Sequence, residues 1–165
     1  MNRETSCSIT GHRPEKLSWG TNEGDPRYLA LKKALLETLE SAYAKGFRHF
    51  LSGMARGTDL YFCEAVLLLK ETHPNISLEA VIPYAGQTKG WPTADRLRYE
   101  RILSRCDFET VIQHSYTAGC LQRRNRYLVD HAGYLIGVYN GSGGGTLYTL
   151  GYAIQQGIAV TVLDV

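Results

Sequence analysis

Along the chain, short apolar runs alternate with segments whose apolar residues fall at three- and four-residue steps, and this alternation restricts the fold more than any other feature. The first run is Ser6–Thr10. Asp25-Pro26 then reads as a helix N-cap followed by a first helical residue, Tyr28, Leu31, Leu35, Leu39 and Ala42 share one helical face, and Gly46 closes the segment. "RHFLS" (48–52) is a second strand, followed by a helix over roughly Thr58–Thr72. "SLEAVIP" (77–83) is a third strand, after which come a loop (84–93) and a polar helix to about Arg105. "FETVIQH" (108–114) is a fourth strand, and Thr117 is placed to cap a helix ending near Ala132. "YLIGVY" (134–139) is apolar throughout, as a strand buried on both faces must be. A helix to about Gln156, Gly157 as its cap and the strand "IAVTVLD" complete the pattern.

Strands and helices that alternate in this way build an open parallel sheet covered on both faces. The expected fold class is therefore α/β: one Rossmann-like three-layer domain over residues 1–165. A length of 165 residues suits one core. With 44% hydrophobic and 21% charged residues, the chain has the profile of a globular protein. Its N-terminal stretch "MNRETSCSITGHRP" has no apolar core of the signal-peptide kind, and no window has the length of a membrane span. Cys7, Cys63, Cys106 and Cys120 form no CxxC pair, so reduced thiols in a cytoplasmic protein are expected, with no metal site.

Ligands of open parallel sheets bind beyond the carboxyl ends of the strands. That rule selects four loops: "TGHRP", "SGMARGTD", "PYAGQTKGW" and "NGSGGGT". In the last, unpaired amides lead into a helix N-terminus, where the dipole is positive, so the loop favours an anion. Gly143, Gly144 and Gly145 would offer backbone N–H groups, Thr146 a hydroxyl, and Asn140 opens the loop. The chain contains no GK, which rules out a P-loop. A GxGxxG reading from Gly141 meets Thr146 where the third glycine belongs, although Asp164 stands where a ribose-binding acid would serve a dinucleotide oxidoreductase.

Of the arginines in "LQRRNRYLVD", Arg124 lies one turn from Leu128, which should face the core, so Arg124 should point inward. Arg56 is read as a phosphate ligand. Asp59 either satisfies the amides in the first turn of its own helix or positions the loop or a ribose hydroxyl. His12 is either a proton carrier or a cap of its loop. Tyr84 and Trp91 either stack on a base or anchor their own loop.

Taken in order, "TGHRP", "SGMARGTDL", "IPY" followed by Gln87 and Trp91, "RRNRYLVD" and "YNGSGGGT" resemble the YpsA-type family of the SLOG superfamily, the Rossmann-like group that includes the DprA and LOG (lysine-decarboxylase-like) proteins. The resemblance runs from about Ser8 to Leu163. It implies a nucleotide-type ligand, no further cofactor, and a homodimer or higher oligomer. DprA proteins bind single-stranded DNA, and their "SGLARGID"-like loop is similar to Ser52–Asp59. LOG enzymes hydrolyse the N-glycosidic bond of nucleoside monophosphates with an Arg from an RKxxM helix and a Glu from a PGGxGTxxE loop. By that resemblance Arg124 matches the catalytic Arg and Gly143–Thr146 the phosphate loop, but the Glu position is Thr149, which cannot act as a carboxylate. Glu100 and Asp130 could replace it only if the fold brings them in.

The expected function is accordingly binding or sensing of a nucleotide-type small molecule. Arg124 and Gly143–Thr146 would hold the phosphate, Ser52, Gly53 and Arg56 would form the opposite wall, and Gly11, His12 and Arg13 would close one end. An N-glycosidase is the alternative. A net charge of +2 and the lack of a basic stripe argue against nucleic acid.

Overall fold

The computed structural model describes residues 2–165. Six strands form one sheet: β1 (Ser6–Gly11), β2 (His49–Ser52), β3 (Ser77–Ile82), β4 (Phe108–Val111), β5 (Tyr134–Tyr139) and β6 (Ala159–Asp164). Five helices connect them: α1 (Pro26–Ala44), α2 (Thr58–Thr72), α3 (Thr93–Leu103), α4 (Cys120–Asp130) and α5 (Gly145–Gln155). The spatial order is β4-β3-β2-β1-β5-β6, and every neighbouring pair is parallel. From β1 the chain steps outward to β4, then crosses back to place β5 on the other side of β1.

Because side chains alternate across a strand, the sheet carries two cores. Cys7, Ile9, Phe50, Leu78, Ala80, Ile82, Ile136 and Val138 face one way and pack with Leu31, Leu35 and Leu39 of α1, Phe62 and Val66 of α2, and Ile102 of α3. On the opposite face Leu135 packs with Val129, Leu150 and Ala153, while Leu51 and Val81 pack with Leu128. Helices therefore cover both faces, as the alternation requires. α5 lies close to the sheet: a Cβ on Gly137 would come within 2.6 Å of Leu150 Cδ2. That closeness fixes where the first turn of α5 stands above the end of β5.

Two elements begin or end elsewhere than the sequence pattern places them. α4 starts at Cys120 after Gly119 (φ 87°), and Thr117 does not cap it; the Thr117 hydroxyl instead accepts from Gln113 Nε2 (2.7 Å). The same amide donates to the Ser115 carbonyl (2.8 Å), closing a turn that ends β4 at Val111 rather than at residue 114.

Candidate functional site

The strand order reverses between β1 and β5, so the loops that follow these strands leave in opposite directions and open a crevice above the sheet. A cavity of about 510 Å³ lies there. Seven of the residues singled out from sequence line it: Gly11, His12, Arg13, Asp59, Arg124, Gly145 and Thr146. Ser52, Gly53, Arg56, Asn140, Gly143 and Gly144 do not line it, though most of them hold residues that do.

Arg124 is the chemical centre. It is 4% exposed, on the inward face of α4 with Leu128. Its Nε donates to Asn125 Oδ1 (3.0 Å) and its Nη1 to the Gly53 carbonyl. No carboxylate comes within ion-pair distance of it among the described residues. Burial pushes its pKa down; the field of Asp59 opposes this shift, and that of Arg13 adds to it. A guanidinium stays protonated in a protein, so the result is a buried positive charge with no carboxylate in contact and only the field of Asp59 to offset it, an arrangement that favours an incoming anion.

The β2–α2 loop is shaped around that group. A Cβ on Gly53 would come within 2.6 Å of Arg124 Nη1, so only glycine leaves room for the guanidinium across this backbone. Met54 follows with φ 59°, an unusual left-handed conformation for a side chain of its size. The turn is held from inside: Ser52 Oγ donates to the Asp59 carbonyl (3.1 Å) and accepts from the Met54 N–H (3.2 Å), and Asp59 Oδ2 accepts from the Ala55 N–H (3.1 Å). Ser52 thus organises the loop. Asp59 does so too while lining the cavity. Burial raises its pKa against the pull of Arg124.

The glycine loop is a bare edge of the crevice. Gly141 (φ 88°) and Gly144 (φ 128°, ψ −158°) adopt conformations that side chains rarely reach, and the first turn of α5 has no side-chain cap. Asn140 wires the loop in place. Its Oδ1 accepts from the Ser142 N–H (3.0 Å) and hydroxyl (2.6 Å), and its Nδ2 donates to the Lys16 carbonyl (2.9 Å). His12 Nε2 accepts from the Asn140 N–H (3.0 Å), while Nδ1 faces the Thr146 hydroxyl (3.4 Å). Both ring nitrogens are engaged, so His12 acts as the clamp between the ends of β1 and β5.

Arg56 stands outside this cavity. Its Nε donates to Asp95 (2.8 Å) and its Nη1 to Glu15, so two carboxylates already satisfy it. Thr149, at the position of the LOG glutamate, is fully buried and donates to the Gly145 carbonyl within α5 (2.9 Å). Glu100 and Asp130 do not line the cavity either; Asp130 accepts from Tyr152 on the far end of α4 (2.7 Å). Asp164 ends the outermost strand, away from the cavity.

Sequence reasoning passed over Lys16 and Asn125, both of which line the cavity. Lys16 closes the 3-10 turn Pro14–Lys16 and donates through Nζ to the Gly143 carbonyl. Asn125 fixes Arg124, and its Nδ2 lies 3.9 Å from where a Cβ on Gly145 would be. The "RRNRY" run contained the signal for Asn125; nothing periodic marks a single turn such as 14–16.

These features define a parallel α/β protein with a cationic cleft at the point where its strand order reverses. The chain belongs to the YspA SLOG family, whose model matches residues 7–157. Among its relatives is the uncharacterized SPbeta prophage-derived protein YoqJ of Bacillus subtilis, 31% identical over 142 residues, covering 78% of this chain and 83% of that one. The UPF0398 protein YpsA of the same organism is 27% identical over 152 residues, covering 90% and 84%. The DNA processing protein A (DprA) of Streptococcus pneumoniae has a similar fold, with a TM-score of 0.62 at 18% identity over 96% of this chain. The chain spans half the length of that protein.

No helix among the described residues is long and apolar enough to cross a membrane.

Proposed function

We propose that the protein binds a nucleotide or nucleotide-derived ligand through its phosphate, in the cleft between the ends of β1 and β5. One observation carries this reading: Arg124 is buried and charged, faces the cavity, and has no carboxylate partner. A phosphate there would receive the guanidinium and the open amides at the start of α5, with Arg13 and Lys16 on the rim. Thermal-shift measurements with nucleotides, ADP-ribose and dinucleotides test it. A ligand at about 100 times its Kd stabilises the folded state by about 2.7 kcal/mol. Stabilisation should vanish in Arg124→Met, and wild-type protein that responds to none of these compounds would overturn the proposal.

Asp59 supports a second reading, hydrolysis of an N-glycosidic bond. Thr149 offers no carboxylate, but Asp59 is a buried acid that lines the cavity near Arg124. In that role its carboxylate would take a proton from the water adding to the sugar C1′ and pass that proton to the base nitrogen as the C1′–N bond breaks, leaving the carboxylate ionised again. Wild-type protein should then release free base from a nucleoside monophosphate, and Asp59→Asn should not. Release that persists in Asp59→Asn would remove this role.

A further inference from the structure

Beside the cleft lies a second cavity of about 390 Å³, lined by Tyr84, Trp91, Tyr116 and Gln87 and joined to the first through Arg13, Glu15 and Leu121, which line both. Its polar chemistry is incomplete. Gln87 is 7% exposed, and its Nε2 donates to the Gly53 carbonyl (3.2 Å). That bond fixes the orientation of the amide, because a reversed amide would set two acceptors against each other. Oε1 is left buried with no hydrogen-bond partner. A buried acceptor without a donor is costly, and native structures rarely tolerate one without a reason.

The aromatic side chains around it differ in what they already do. Trp91 packs edge-on against Tyr99 (5.5 Å, 85°) and belongs to the core, so it anchors its loop. Tyr84 and Tyr116 meet edge to face (5.4 Å, 79°), and Tyr116 is 62% exposed. An edge-to-face pair leaves a ring face open to a further planar group.

We infer that this second cavity is a base subsite for the ligand whose phosphate occupies the Arg124 cleft: a heterocycle stacks on the Tyr84–Tyr116 pair and donates an N–H to Gln87 Oε1. The inference rests on the phosphate reading above. The side chains that serve the two subsites are held by one atom behind them, since the Gly53 carbonyl accepts from both Gln87 Nε2 and Arg124 Nη1. The requirement for a donor specifies the chemistry further. Adenine and guanine carry an exocyclic amino group; unsubstituted purine does not.

Calorimetric titration of wild-type protein with AMP, GMP, ADP-ribose, purine riboside 5′-monophosphate and ribose 5-phosphate tests the assignment, together with Tyr116→Ala and Gln87→Leu. The best amino-bearing nucleotide should bind at least about tenfold more tightly than ribose 5-phosphate. The analogue lacking the amino group should bind about tenfold more weakly than AMP in wild-type protein, and the two should bind alike in Gln87→Leu. Tyr116→Ala, on an exposed side chain, should weaken the nucleotide by a similar factor and leave ribose 5-phosphate unchanged. Equal affinity for nucleotide and ribose 5-phosphate would overturn the base subsite while leaving the phosphate seat standing. Variants that weaken both ligands equally would do the same. Binding of none of the compounds would overturn the phosphate reading itself, and the subsite with it.

Discussion

His12 shows how one residue can decide between a chemical and a structural role. A neutral imidazole has one donor and one acceptor nitrogen. Nε2 accepts the Asn140 amide, so the proton must sit on Nδ1, facing Thr146. Burial, and then the charge on Lys16, lower its pKa; the Asn140 side chain opposes them only in part. A base whose folded pKa lies below its unfolded value contributes stability at neutral pH, and that contribution is lost as pH falls below about 6.5. Long-range ¹H–¹⁵N NMR spectra at pH 7 should therefore show the Nδ1–H tautomer, with a titration midpoint below that of a free histidine. A midpoint at or above the free value would mean that the clamp does not hold. Arg124 makes the opposite case: a charge buried without an ion-pair contact. Replacing it with Met removes two hydrogen bonds but also a desolvated cation, so denaturant unfolding should show a loss of no more than about 1 kcal/mol, alongside lost ligand binding. Gly53→Ala should be worse than Arg124→Met for the fold, since the new methyl meets a guanidinium held on two sides. A cost of about 1–3 kcal/mol in the same unfolding experiment is expected.

At the scale of elements, the parts legible in the sequence were those with a local cause. Asp25 caps α1 through the Arg27 amide (2.8 Å), with Pro26 in the first turn, and α2 spans the expected Thr58–Thr72, between Gly57 and the turn at His73. β5 matches its six-residue apolar run because both its faces are buried. What the period could not show was the turn Pro14–Lys16, too short to repeat, and with it Lys16. Nor could it show that Arg56 would spend its charge on Glu15 and Asp95, residues remote from it in the chain. The glycine loop was legible in composition but not in geometry. Of its four glycines, Gly144 has the backbone that other residues avoid most, and it immediately precedes α5. Gly144→Ala would force a methyl into φ 128°, at a cost of about 1–3 kcal/mol. The methyl would also meet Lys16 Nζ at 2.7 Å, a flexible end that can move aside. The expected result is a lower melting temperature together with weaker phosphate binding, because the strain relaxes by turning the first amides of α5 away from the crevice. A variant that lost stability but bound phosphate normally would show that those amides are not part of the seat.

For the whole molecule, the decisive fact is the strand order. The alternation of strands and helices implied a parallel sheet, but the same alternation is compatible with several orders, and the order observed sets β1 beside β5. Register among distant segments depends on packing across the sheet, which no local pattern reports. That packing contains one polar cluster, on the α4 side of β2 and β3. Glu79 Oε1 accepts from His49 Nε2 (2.8 Å), and Oε2 accepts from Thr110 Oγ1 and the Tyr127 hydroxyl (both 2.9 Å). Four elements, β2, β3, β4 and α4, are thereby tied at one carboxylate. Burial works to raise the pKa of Glu79, but the hydrogen bonds from His49, Thr110 and Tyr127 outweigh it and hold the group below the ordinary range. An acid whose folded pKa is depressed stabilises the fold above its unfolded pKa and loses that contribution as pH falls through the folded one. Glu79→Gln should consequently cost about 1–3 kcal/mol at pH 7, where the ionised acceptor is lost. The gap between the two proteins should narrow as pH falls below about 4, where wild-type Glu79 also becomes protonated. Urea midpoints measured for both proteins between pH 3 and pH 7 check this. A gap independent of pH would place the cost in the shape of the side chain rather than in its charge, and the α4 helix that presents Arg124 would then owe its anchoring to Leu128 and Val129 instead.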